Sequence, residues 1–515
     1  MPLIQTAEIT PTWPSGANSI LQTYCGLDCC ITLEVREELG RQFNQPPAIY
    51  EFEKALQGPY LEIMLRGFKV DELGRRQAAQ ALRDRIAKLD RTLQTMACSV
   101  WGKPLNPRSP TQLVDFFYRV MHLPEVWLSQ KGVRKLSTNR EALEKLEVYL
   151  HARPIISCIL TIRDLAKQLQ VFDTDIDPDG RFRTSYNIAG TETGRPSSSE
   201  NAFGTGGNAQ NIAPGLRHVF VADPGFKLVV IDLEQVEARD VGFFCGCLFD
   251  NWEFLDACES GDLHTSNAMR IWPERGWTND PKQNRKLADA LFYRDFTYRD
   301  MAKRGSHLSN YSGTAWTMGR ALKIPLALAE EFQARYVRGR QAELKRGLSE
   351  IAPAFPSIPA WWQWTATQLQ TEHQLVTPFG RRRHFFGRPG DDTTLREAIA
   401  FLPQSTTADR MNLGLWRVWK HQPEVQLLAQ TYDSITFQVK EGPQLDQAVV
   451  QALELVSNIP LFAPNGRRYS VPGEAKIGWN WGAKTASNPD GLIKWNPTQP
   501  DVRSRTSLLQ RTMIS

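Results

Sequence analysis

The chain has 515 residues, more than one ordinary domain needs and enough for two or three hydrophobic cores. Its 41% hydrophobic and 23% charged residues are those of a globular protein, and no stretch approaches the roughly eighteen uninterrupted apolar residues of a membrane span. A net charge of +5, from 61 basic and 56 acidic residues, permits a polyanionic partner without demanding one.

In chain order, the opening MPLIQTAEITPTWPSG lacks the basic start and apolar core of a secretory signal, so export is not expected. A helix is predicted around TYCGLDCCITLEVREEL. None of the eight cysteines forms a zinc-site pattern with a second pair and histidines, and free buried thiols are the simplest reading. Tyr50 to Asp71 reads as an apolar helix ending at Gly67, followed by an extended FKVD. From Glu72 to Met96, the spacing of Leu82, Ile86, Leu89, Leu93 and Met96 predicts one long helix with an apolar stripe. Arg75, Arg76, Arg83, Arg85, Lys88 and Arg91 lie largely off that stripe. In NPRSPTQL, Ser109 fits an N-cap, Pro110 the first turn and Gln112 the capping-box position.

Past residue 170 the texture turns to short strands and Gly-rich loops, and the apolar run Leu228–Ile231 ends in Asp232. Residues 240–375 read as mainly helical and rich in tryptophan. VQLLAQTYDSITFQV reads as two strands around a tight turn holding Asp433, with Ile435, Phe437 and Val439 alternating. The last thirty or so residues, rich in Pro, Ser, Asn and Thr, read as a loose tail. No internal repeat is visible.

Two constellations carry chemistry. Asp232 is expected at the end of a buried strand and Asp433 at a hairpin turn, where an acid taken alone usually caps local backbone. On neighbouring strands they would bridge two divalent cations, and hard oxygen ligands with a phosphate substrate point to magnesium. In RDMAKRGSHLSNY, Arg299, Lys303, His307 and Tyr311 recur every four residues and form one stripe on a helix. Two cations, an imidazole and a phenol suit a nucleoside triphosphate, whereas a solvated basic face is the simpler alternative.

The motifs, taken in order, resemble the family A DNA polymerases, relatives of bacterial DNA polymerase I, from about residue 20 to residue 482. TETGRPSSS (191–199) resembles the family's TGRLSS stretch, NAQNI (208–212) its LQNI, and IDLEQVEAR (231–239) its motif A. YRDMAKRGSHLSNY (298–311) resembles motif B, TYDSI (431–435) motif C, LREAIAFLPQSTTAD (395–409) the R…Q-GTAAD helix, and IGWNW (477–481) the C-terminal end. Several positions depart from the pattern: Leu233, Tyr432, Ser434, Ala400, His307, Leu308, Ser312 and Gly305. Ser434 stands where the family has Glu; it either aids a metal or satisfies its own turn.

The resemblance implies an α+β right-hand polymerase fold with palm, fingers and thumb. Residues 1–45 would be an exonuclease-like remnant, 46–169 the thumb and preceding helix, and 170–238 the first part of the palm. Fingers would follow at 239–395, the second part of the palm at 396–482 and the tail at 483–515. Asp232, Asp433 and the Leu233 carbonyl would hold two Mg2+ ions, for which Mn2+ can substitute. Arg299, Lys303 and His264 would bind nucleotide phosphates, with Lys303 also catalytic. His307 would lie against sugar and base, and Tyr311 beside the templating base. Glu237 would exclude a ribose 2′-hydroxyl. Arg195, Gln404 and Arg396 would read the minor groove of the newest base pairs, and Asn106 and Ser109 would touch the primer backbone. The Arg381–Arg383 run matches a GRRR hairpin, either a solvated turn or a template-phosphate contact.

Template-directed DNA synthesis on primer-template DNA with deoxynucleoside triphosphates follows, inside a bacterial or phage-infected cytoplasm. YCGLD (24–28) resembles the last motif of a 3′–5′ exonuclease whose earlier acids are not in this sequence. No intrinsic proofreading is therefore expected, and the remnant would suit a separately encoded exonuclease or processivity factor. A bacteriophage origin fits so short an N-terminal piece. A single-subunit RNA polymerase and a non-catalytic DNA-binding relative are the rival readings.

Overall fold

A computed structural model describes residues 19–42, 48–130, 133–201, 203–338 and 353–496. Helix α1 (Ser19–Gln42) is followed by α2 (Ala48–Ala55) and α3 (Gln57–Arg66), so the predicted Tyr50–Gly67 helix breaks at Leu56. Gly67 ends α3 at φ 62, with the Phe182 carbonyl oxygen 2.7 Å from where a Cβ would sit. Only glycine accepts both that angle and that approach. Strand β1 (Phe68–Val70) then leads into α4 (Glu72–Trp101), where Asp71 caps the Gly74 N–H at 3.1 Å and Gly102 closes the helix in the left-handed region.

The arginine-studded α4 lies along α5 (Arg153–Asp173). Its predicted stripe meets a core of Phe116, Phe117, Leu143, Ile156 and Ile159, with Leu93 fully buried and Ile86, Leu89 and Met96 at the margin. Leu82 instead packs with β1 against a different core.

Chemistry is organised by a five-stranded antiparallel sheet. Its strands are β2 (Phe226–Leu233), β5 (Gln426–Thr431), β6 (Ser434–Lys440), β7 (Gly473–Gly478) and β8 (Ile493–Lys494), in the order β5-β6-β2-β7-β8. The apolar run of β2 reflects its central position: Val229 and Ile231 face one core and Leu228 and Val230 the other. For the same reason β6 buries Thr436 and Gln438 as well as the alternating Ile435, Phe437 and Val439. One face is covered by α3, α10 (Asp392–His421) and α11 (Leu445–Ser457). The other meets Phe68, Phe220 and Trp481.

Between β2 and β5 the chain builds a helical lobe from α6 (Val236–Phe249), α7 (Leu263–Ile271), α8 (Tyr298–Asn310) and α9 (Ser357–Thr371). Its core includes Phe254, Met301, Phe332, Tyr336 and Trp361. A small hairpin, β3 (Gln374–Val376) with β4 (Arg382–His384), returns the chain to α10.

Two expectations need correction. Residues 483–496 are not a loose tail: β8 pairs with β7, and Trp495 donates its backbone N–H to Ala475 at 2.9 Å. Polar composition hid the strand because β8 lies at a solvated sheet edge; residues 497–515 lie outside the described residues. Nor are the cysteines mostly buried. Only Cys245 and Cys258 are, whereas Cys25, Cys29 and Cys98 are exposed on helix surfaces.

Candidate active site

The sheet brings the two acids together. β2 ends at Asp232-Leu233, and the β5–β6 hairpin turns on Tyr432-Asp433, with Tyr432 at φ 54. Across the β2–β6 ladder Asp232 is paired with Ser434, and the Leu233 N–H donates to the Asp433 carbonyl at 3.0 Å. Both carboxyls therefore belong to adjoining strand ends. Burial and the nearby Asp433 charge raise the Asp232 carboxyl to about 6. Burial, with the charge of Glu237, raises that of Asp433 as well. Neither acid has a salt-bridge partner among the described residues. Two partly desolvated carboxylates without a salt-bridged cation form a donor set suited to divalent metal. The Leu233 side chain is core, leaving only its backbone for a ligand role. Ser434 satisfies its own turn, donating to the Thr431 carbonyl at 2.9 Å.

Motif B forms α8 behind a capping box of Thr297 and Asp300. Arg299, Lys303 and His307 do share one accessible side, while Met301, Ala302 and Ser306 are buried. Tyr311 stands just past the helix end, its ring 5.6 Å from that of His307. The stripe is thus three helical residues and one loop tyrosine. Gly305, off the stripe, is explained by packing: a Cβ there would lie 2.5 Å from the Phe332 ring. Lys303 is exposed and makes no ion pair among the described residues.

Arg299 is already held. Its guanidinium donates to Asp262 at 3.0 Å, and Asp262 also caps the Thr265 N–H at the start of α7. Burial opposes the charge of Asp262, but the hydrogen bonds from Arg299 and Thr265 outweigh it and hold the carboxyl at about 2. His264, in the first turn of α7, has a buried Nδ1 without a partner. Burial, helped by the Arg299 and Lys303 charges, lowers its imidazole to about 4.

Glu237 in the first turn of α6 joins these groups to the sheet. It accepts from the Tyr311 hydroxyl at 2.5 Å and from the Arg195 guanidinium. Arg195 also lies 5.9 Å from the Tyr432 ring centroid. Behind it, Asn412 of α10 donates to the Gly194 carbonyl at 3.2 Å, and the buried Tyr60 hydroxyl donates to Asn412 at 2.7 Å. Gln404 is half-buried on α10, whereas Arg396, two turns earlier, is exposed and bonds its own Asp392 carbonyl at 2.9 Å. Asn106 and Ser109 lie beyond α4 and serve local turns, accepting from the N–H groups of Arg108 at 2.9 Å and Gln112 at 3.4 Å. The predicted capping box is only half made, because the Gln112 side chain accepts from Asn106 rather than Ser109.

The triple arginine run divides against expectation. Arg381 is neither solvated nor free for template phosphate: it is buried, donating to Asp409 at 2.7 Å and Glu53 at 2.5 Å. Arg383 pairs with Glu397 at 2.8 Å and with Glu192. Only Arg382 points away.

Four further neighbours escaped sequence reading. Glu474 on β7 is the second cross-strand partner of Asp232 and is tied to Lys494 at 2.9 Å. Lys476 and Arg217 both act electrostatically on Asp232, and Arg217 stacks on Trp481 at 4.5 Å. Asp262 is the fourth. Strand register and a tertiary salt bridge bring them in, and neither leaves a local sequence signal.

A central antiparallel sheet carrying paired acids, with a helical lobe inserted between its strands, defines a right-hand polymerase fold. The same fold occurs in the structure of the POL domain of Pol1 from M. smegmatis in complex with DNA primer-template and dNTP. That match has a TM-score of 0.63 at 22% identity, covering 83% of this chain and 70% of the other. The family model for DNA polymerase family A matches residues 76–483, and the chain belongs to that family. It is 26% identical over 485 residues to DNA polymerase I of Chloroflexus aurantiacus, covering 89% of this chain and 46% of that protein. Against thermostable DNA polymerase I of Thermus aquaticus it is 27% identical over 455 residues, covering 84% and 48%. The chain thus spans about half the length of the curated relatives it matches.

Proposed function

We propose that this chain is a DNA-directed DNA polymerase that adds deoxynucleotides to a primer 3′-hydroxyl. The observation that carries the reading is the meeting of Asp232 and Asp433 on adjoining strand ends, both half-buried and neither salt-bridged to a protein cation among the described residues. Their donor chemistry suits two magnesium ions, with the Leu233 carbonyl as a further ligand; manganese is an acceptable substitute. When bound, such ions acidify the attacking hydroxyl and neutralise charge on the leaving pyrophosphate.

The protein's own groups do the positioning. Lys303, Arg299 and His264 receive the triphosphate, and His307 and Tyr311 flank the nucleotide and templating base. Glu237, held by Tyr311 and Arg195, fills the space a 2′-hydroxyl needs. Arg195, Gln404 and Arg396 read minor-groove acceptors common to all sequences, and Asn106 and Ser109 contact primer backbone. We assign the thumb and its preceding helix to residues 46–169, the palm to 170–238 and 396–482, and the fingers to 239–395.

No helix among the described residues is long and apolar enough to cross a membrane, and we propose a cytoplasmic setting. The exposed Tyr24, Ile31, Leu33, Val35 and Leu39 on α1 support a surface for a separate exonuclease or processivity factor.

A magnesium-dependent primer-extension assay tests the reading, run in parallel with deoxyribonucleotides and ribonucleotides and scored for exonuclease products. Templated extension with deoxyribonucleotides and no shortened primer is expected. Preference for ribonucleotides would favour an RNA polymerase, and binding without extension a non-catalytic relative.

A further inference from the structure

The β3–β4 hairpin presents two unlike faces. On the inner one, Phe385 is buried, and Arg383 lies 4.6 Å from its ring centroid while pairing with Glu397 at 2.8 Å. The Phe385 N–H donates to the His373 carbonyl at 2.9 Å, so extended pairing continues past the end of β4. Strand alternation then sends Arg382, His384 and Phe386 to the outer face. All three are exposed, Phe386 at 97%. Arg388 follows, also exposed, and neither it nor Arg382 has a side-chain partner among the described residues. Nearby acids are engaged locally: Asp391 caps the Thr393 and Thr394 N–H groups at 3.0 Å, and Asp392 starts α10 below Arg396.

A lone exposed phenylalanine is unremarkable in itself. A fully exposed ring in line with an imidazole and flanked by two unpaired guanidiniums has a more specific chemistry. The guanidiniums match phosphates, and the ring matches the face of an unpaired base, which a duplex would hide. We propose that Arg382, His384, Phe386 and Arg388 form a binding strip for single-stranded DNA, with Phe386 stacking on a base. The strip leads directly into α10, which carries Arg396 and Gln404. It therefore takes the unpaired template ahead of the primer terminus, an assignment that rests on the polymerase reading.

The test is fluorescence anisotropy with the whole chain and primer-templates carrying one or eight unpaired template nucleotides, without nucleotide. The unsubstituted protein is expected to bind the longer overhang more tightly. Phe386→Ala should lose about fivefold or more of that gain, with one-nucleotide binding unchanged, and Phe386→Trp should keep it. The double substitution Arg382→Gln/Arg388→Gln should reduce the salt slope for the long overhang by about 1.4. Thermal melting checks that these surface substitutions leave the fold intact. A full overhang gain in Phe386→Ala, no gain in the unsubstituted protein, or a Trp variant that behaves like Ala would each overturn the strip. A protein that binds a free deoxythymidine oligomer through Phe386 yet extends no primer would retain the strip and lose the polymerase reading. Normal extension with no Phe386 effect would do the reverse.

Discussion

At the sheet, Asp232 and Asp433 are positioned by backbone: ladder register sets their separation, and the buried cores on both faces hold the strands rigid. On α8, by contrast, Arg299, Lys303 and His307 ride an accessible helix face, and Arg299 is steered by a side-chain salt bridge to Asp262. Glu237 joins the halves through Tyr311 and Arg195. One half of the site is thus built in, and the other is held by contacts that substrate can exchange. Substitutions in the sheet should remove chemistry and spare binding, whereas those on the helix should first weaken nucleotide capture.

The sharpest way to break this contrast is Asp232→Asn. It should slow single-turnover extension a hundredfold or more, at least about 3 kcal/mol of transition-state stabilisation, while DNA affinity changes far less. Equal losses in both would contradict the division. Lys303→Ala should raise the KM for deoxynucleotide about tenfold or more, as expected for one charge-assisted phosphate contact. If kcat alone fell, Lys303 would belong with the chemistry instead. Gly305→Ala pits a helix-propensity gain of about 1 kcal/mol against collision with the buried Phe332 ring. Collision should win, lowering Tm by a few degrees.

A further test concerns pH. The His264 imidazole titrates at about 4 in the folded chain rather than 6.5. Between those values the unfolded chain binds the extra proton, so stability is complete above about pH 6.5 and is lost as pH falls through about 4. His264→Gln should flatten that acid loss in denaturant titrations; an unchanged pH profile would show that the ring is not held neutral.

The two halves were also unequally legible in the sequence. Asp232 follows an apolar run and Asp433 interrupts an alternating hairpin, so both strand ends could be read directly, and the α8 stripe followed from four-residue spacing. Ordered motifs then supplied the family. Long-range pairing could not be read: Glu474 beside Asp232, Asp262 on Arg299 and Arg381 buried against Asp409 and Glu53 are products of tertiary assembly. Local composition also misled at the C-terminus, where polar residues 483–496 lie along a sheet edge that demands no apolar face.

A double-mutant cycle in single-turnover primer extension tests the central claim most directly, with Asp232→Asn, Asp433→Asn and the double substitution compared at saturating magnesium and DNA. If the two carboxylates serve one metal cluster, either single change should disable it and the double should be little worse than the poorer single. Losses that multiply, with each single enzyme keeping substantial activity, would mean that the acids act independently and that the shared-metal account is wrong.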